Sequence, residues 1–213
     1  MASCKTIVTV VTVVTDRRNA KGAMTMNFEM MQASIQQEKA EKYALLMPQL
    51  KEAVKNQDWE EVETLLTLSP DIMAEGLEYA YPYLPDEYKF RIPTDCYTQN
   101  GDHMPIVRKY VRQARKYAPI EKRIPAEMIP MKEITIYRAG IEPMDKAKYR
   151  ISWTTSIEKA QWFYDRALHF GSPVCHLYRG VIRPEQIIWY TDDRNEKEVM
   201  QYGSVRDIEE IAR

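Results

Sequence analysis

Residues 119–130, PIEKRIPAEMIP, carry three prolines in twelve positions. Proline continues neither a helix interior nor a central strand, so the chain must change character here. Before this stretch the apolar period is helical. Tyr43, Leu46, Met47, Leu50, Ala53 and Val54 form an i, i+3/i+4 stripe with charges on the other face. Asp58 with Glu61 is a capping-box pattern that opens a second helix through Trp59, Val62, Leu65 and Leu66. Ser69-Pro70 opens a third. YPYLPDEYKF gives a break and another turn or two of helix. After a turn at Asn100-Gly101-Asp102, Ile106, Tyr110, Ala114 and Tyr117 mark a last long helix.

Beyond the prolines the period shortens to that of strands. EITIYRAG (133–140) reads as a strand ended by glycine, and YRISWTTS (149–156) as a second that runs into a helix capped by Ser156. PVCHLYRGVI (173–182), QIIWY (186–190) and KEVMQY (197–202) read as further strands. The expected fold class is therefore α+β, with a helical portion over 26–129 and a β-rich domain over 130–213. Residues 1–25 contain KTIVTVVTVVT (5–15), a β-branched run interrupted by threonines and too short to span a bilayer. They are expected to be a low-complexity, poorly ordered extension or an added edge strand, and no contact with a membrane is expected.

Bulk properties narrow the function classes. A net charge of −1 supplies no global pull towards nucleic acid or an anionic surface. The three cysteines, Cys4, Cys96 and Cys175, are too few and too widely spaced for a disulfide framework or a metal motif, which points to a reducing, cytoplasmic setting. His103, His169 and His176 are scattered without acidic partners at ligand spacing, so no metal is expected. Cys175 and His176 are adjacent on a strand and point to opposite faces, which excludes a Cys–His dyad. No glycine-rich phosphate loop is present, against a nucleotide triphosphatase or a doubly wound fold. Arg108, Arg112 and Arg115 share a face of the last helix, a candidate contact for nucleic acid or an acidic partner, though such a face is more often simply solvated.

Three features of the β-rich half belong together. Arg138 lies near the end of the first strand, and arginine is the fork-shaped donor suited to phosphate. Ser152 and Thr154 alternate along the second strand, so their hydroxyls point one way. Glu196 and Glu198 stand two apart in DDRNEKEVM (192–200), and in an extended chain they would leave the same face. Taken singly, each is also an ordinary surface or strand residue.

In the order IYRAG, YRISWTTS, NEKEV, these segments resemble the arginine–serine–glutamate class of mono-ADP-ribosyltransferases. SWTTSIEKAQWF is similar to the Ser-Trp-Thr variant of phage and bacterial members. The resemblance covers about residues 130–213 and implies an ADP-ribosyltransferase-like split β-sandwich. It implies NAD as co-substrate, bound by Arg138, Ser152, Thr154 and Tyr149, with Arg138 on a phosphate and Ser152 also orienting Glu198. Glu198 would bind the 2′-hydroxyl of the nicotinamide ribose and favour the positive charge that develops there, while Glu196 engages the acceptor. Tyr149, Trp153 and Phe163 are candidates to cover the nicotinamide. Trp153 departs from the usual motif and is expected to pack into the core. The implied activity is mono-ADP-ribosyl transfer to a macromolecule, with protein the expected acceptor. The alternatives are NAD hydrolysis at the same site, or a non-catalytic module of the same fold that occupies a host complex.

Overall fold

The computed structural model describes residues 12–100, 103–172, 174–192 and 195–211, with side chains from residue 30 onward apart from that of Asn100. The chain forms two compact units, 1–49 and 50–213. The division falls within α1 (Thr12–Lys55). Residues 12–25 lie within this helix and are not the edge strand considered for them. Arg17, Arg18, Ala20, Lys21, Ala23 and Met24 have the helix propensity that the preceding valines and threonines lack. The remainder of that expectation, on residues 1–11, lies outside the described residues.

In the second unit α2 (Trp59–Leu68) starts where the sequence signals it: the Asp58 carboxylate accepts from the Glu61 amide at 3.2 Å. α3 (Pro70–Ala80) has proline in its first turn, and α4 (Asp86–Asn100) and α5 (Pro105–Ala114) follow. Leu50, Val62, Leu66, Ile72, Met73, Leu77, Ile92, Val107 and Val111 are all fully buried between them. Burying a side chain of this size is worth about 1.5–3 kcal/mol, which is why short helices persist here. A four-residue helix, α6 (Ile120–Arg123), carries the chain through the prolines.

The second half is an antiparallel sheet of six strands in the order β4-β5-β2-β1-β3-β6. The strands are β1 (Ile134–Gly140), β2 (Ser152–Thr154), β3 (His176–Ile182), β4 (Ile187–Thr191), β5 (Glu198–Gln201) and β6 (Arg206–Glu210). Two helices interrupt them, α7 (Met144–Ala147) and α8 (Ile157–His169), the latter capped as expected by Ser156, whose hydroxyl accepts from the Lys159 amide at 3.2 Å. The expected α+β class holds, with helices first and strands after. β6 was not legible: its residues are mostly charged and Asp207 has φ 47°, as suits an irregular edge strand.

The sheet belongs to the same compact unit, 50–213, as α2–α6. α5 and α6 pack on β4, Phe90 of α4 meets Trp189 edge-on at 5.4 Å between centroids, and buried Arg123 donates through Nη1 to the Ile187 carbonyl. These long-range contacts outrank the change of periodicity. Among the described residues no helix is long and apolar enough to cross a membrane.

Two features give direct tests of this packing. A Cβ on Gly180 would run into Val205 Cγ1 and sit 3.2 Å from the Arg206 carbonyl, with Val205 itself in the core. Gly180→Ala is expected to cost about 1–3 kcal/mol of overpacking, read as a lower urea midpoint; an unchanged midpoint would contradict this close approach. Cys96 is fully buried on α4, and burial pushes its thiol up. Only the unfolded chain then ionises it, so stability contributed at neutral pH falls as pH rises above 9.0, the ordinary thiol value. Cys96 is expected to resist iodoacetamide in the native protein and to react on unfolding, which peptide mapping by mass spectrometry checks.

Candidate active site

The site lies where the sheet is weakest. β1 pairs with β3 at seven consecutive positions from Ile134 to Gly140, but with β2 only at Tyr137↔Thr154. The two halves of the sheet, β4-β5-β2 and β1-β3-β6, therefore part beyond that pair. Arg138 spans the opening. Its Nη1 donates to the Ser152 carbonyl at 2.7 Å, in place of the ladder bond the diverging backbones do not make. The Arg138 side chain is 13% exposed, and its Nη2 lies 3.9 Å from Glu142 Oε1. Glu142 also forms an ion pair with Arg150.

On the far strand the Ser152 hydroxyl donates to Glu198 Oε1 at 2.6 Å. The bond is short because the acceptor is a carboxylate. It follows from register: Ser152, Trp153 and Thr154 pair with Met200, Val199 and Glu198. Glu198, the first residue of central strand β5, is 8% exposed. Thr154 donates to the Glu196 carbonyl at 2.7 Å and accepts from the Ser156 amide at 3.0 Å. Its hydroxyl proton is thus committed to holding the segment before β5.

Glu196 and Glu198 do converge, for a reason other than strand alternation. β5 starts at Glu198, and the preceding Lys197 and Asn195 have φ of 47° and 52°. These left-handed residues bend the chain. The bend is held by the Lys197 amide on Asp192 Oδ1 at 3.0 Å and by the Thr155 amide on the Lys197 carbonyl at 3.1 Å.

A cleft of about 250 Å³ opens at the split, bordered by Tyr137, Arg138, Ala139, Ser152, Trp153, Thr154, Phe163, Glu196 and Glu198. Arg138, Ser152, Thr154, Glu196 and Glu198 are thus brought together. Tyr149 is not: it is 53% exposed, lies under Lys148, and does not border the cleft. The segment 149–151 expected to extend β2 is not strand, so the alternation that would have directed Tyr149 is absent. Of the aromatic candidates Phe163 borders the cleft from α8. Trp153 borders it too but is 2% exposed, with Nε1 donating to the Arg150 carbonyl at 2.9 Å and its side chain in the core cluster. Tyr137 and Glu142 were missed. Tyr137 sits beside Arg138, and Glu142 follows β1, where no local pattern marks it.

Elsewhere, the basic face of α5 is partly used within the chain, for Arg115 stacks on Tyr202 at 4.1 Å. His176 pairs with Glu210 at 2.8 Å and stacks on Tyr178. No family model, curated protein or solved structure matches the chain, so the functional reading rests on the residues around this cleft.

Proposed function

We propose that the chain transfers the ADP-ribosyl group of NAD to a macromolecular acceptor, with protein as the favoured class, and releases nicotinamide. The observation that supports this most is the linked set Arg138–Ser152–Glu198, two hydrogen bonds of 2.7 and 2.6 Å at the mouth of one cleft. The order of those residues also resembles the arginine–serine–glutamate transferases. A cleft of about 250 Å³ is small beside the roughly 300–1,000 Å³ of most ligand pockets, and suits the nicotinamide–ribose end of the dinucleotide.

In this reading Arg138 binds a phosphate oxygen, and Phe163 or Tyr137 covers the nicotinamide ring. Ser152 holds the Glu198 carboxylate in one orientation. Glu198 accepts from the ribose 2′-hydroxyl and stabilises the positive charge that develops at C1′. The C1′–N bond breaks with its electron pair leaving on nicotinamide, which becomes neutral. The acceptor heteroatom supplies the pair for the new bond to C1′, and its proton passes to Glu196 and then to water. With water as acceptor the same residues yield ADP-ribose. We place this chemistry in the cytoplasm of a bacterial cell, in keeping with the resemblance to phage and bacterial members and with unpaired Cys96 and Cys175.

The test is labelled NAD incubated with host lysate and wild type, Glu196→Ala or Glu198→Ala. Label on a discrete macromolecule with wild type, lost in Glu198→Ala, is the expected result. Free ADP-ribose alone would move the assignment to hydrolysis. NAD neither bound nor consumed by wild type would leave a non-catalytic module.

A further inference from the structure

The described side chains of α1 from Met30 to Lys42 are all exposed. A helix with so long a solvated stretch needs support from i, i+4 pairs or from a partner. Two such pairs are present: Lys42 Nζ lies 2.8 Å from Glu38 Oε1, and Gln37 donates to Glu41 at 2.9 Å. Pairs of this kind support a solvated helix only weakly. The apolar residues are placed with more order. Met31, Ile35 and Leu45 are 53%, 43% and 61% exposed. Singly, exposed apolar residues are ordinary on a surface. Together with Glu38 and Lys42, these three follow steps of four, three, four and three, the spacing of a coiled-coil seam. Leu45 lies on the side of α1 away from Met47 and Leu50, both buried, so the seam and the buried face of the helix are distinct.

We propose that this seam pairs with the same seam of a second copy of the chain, antiparallel, about a two-fold axis at Ala40. With that centre Ile35 of one copy faces Leu45 of the other, and Glu38 of one faces Lys42 of the other. The charges choose the direction. In a parallel pair Glu38 would meet Glu38 and Lys42 would meet Lys42, both repulsive. Ile35 and Leu45, with Met31 at the ends, supply the attraction. Glu38 and Lys42 add little net affinity once desolvated, but they fix orientation and register. Lys39 and Glu41 flank the centre on opposite sides, each nearest its own copy, where solvent screens the repulsion. Pro48 within α1 marks where the regular seam ends. Residues 31–49 span about 27 Å of helix, short for a coiled coil, so the dimer is weak and depends on concentration. Pairing of the helices needs nothing from the chemistry at the cleft.

The test is sedimentation equilibrium of the full chain over a range of concentrations. Wild type is expected to move from 25.1 kDa towards twice that mass as concentration rises. Glu38→Lys alone and Lys42→Glu alone each set like charges opposite one another, and each should associate about tenfold more weakly. An equimolar mixture of the two should associate as wild type does, since every facing pair is again opposite in charge. The double variant Glu38→Lys/Lys42→Glu should do the same. Leu45→Gln should weaken association about tenfold through lost apolar burial. Positions 38, 42 and 45 are exposed, so the core is untouched, and recovery in the mixture shows that both single variants are folded. Wild type that stays monomeric at every concentration would overturn the proposal and leave the seam to a helix of another protein. A dimer indifferent to Leu45→Gln would place association elsewhere on the chain. Single charge variants as tight as wild type, or a mixture no tighter than either alone, would exclude the antiparallel register.

Discussion

Glu198→Gln is expected to lower nicotinamide release from NAD by about 10²–10³-fold, the usual effect of removing one preorganised group aimed at developing charge. Glutamine keeps the volume and can still accept from the Ser152 hydroxyl, so the sheet register at β2–β5 should survive. NAD affinity should change far less than turnover, because the full positive charge at C1′ exists only near the transition state. Ser152→Ala removes the 2.6 Å bond and should slow release about tenfold, since a hydrogen bond to a charged group is worth about 1.5–3 kcal/mol. Ser152 acts through Glu198, so the double variant should be no slower than Glu198→Gln alone. Steady-state release with all three proteins decides the matter. A Glu198→Gln rate within threefold of wild type would show that this carboxylate does not face the reacting carbon.

Arg138→Ala carries the second large effect, and it has two components. The guanidinium faces the cleft and also bridges the sheet halves through the Ser152 carbonyl. Its loss is expected to weaken NAD binding by about 10–100-fold, corresponding to one charge-assisted contact. It should also raise hydrogen exchange at β2, whose only residue pair with β1 is Tyr137↔Thr154. Arg138→Lys separates the two roles. It keeps the charge but loses the planar fork that reaches two acceptors at once, so part of the affinity should return while exchange at β2 stays raised. Calorimetric titration with NAD and exchange by mass spectrometry read the two components. NAD affinity unaffected by Arg138→Ala would make this arginine a purely structural bridge.

Such a bridge between two strands is hard to see in sequence, whereas local signals are plain. The helix starts were legible because Asp58 and Ser156 cap within three residues of themselves. The order Arg138, Ser152, Glu198 was legible because each sits on a strand with ordinary alternation. Tyr149 failed the same reasoning, since β2 is three residues long where the pattern allowed eight. Glu196 reached the expected place by another route, the left-handed bend at Lys197. β6 stayed hidden because an edge strand needs only one partner and tolerates charge on both faces.

By itself, then, the sequence determined the separation of helices from strands at the prolines, the caps, and the order of Arg138, Ser152 and Glu198 along the strands. Those are consequences of interactions across a few residues, and side-chain chemistry alone sets them. Only the tertiary structure decided that β1 and β2 part after one residue pair, that Arg138 closes the gap, and that Asp95 of α4 lines the same cavity as Glu196. Asp95 and Glu196 are 101 residues apart in the chain. Their meeting depends on packing between α4 and β4, a balance of many buried contacts that no local pattern records.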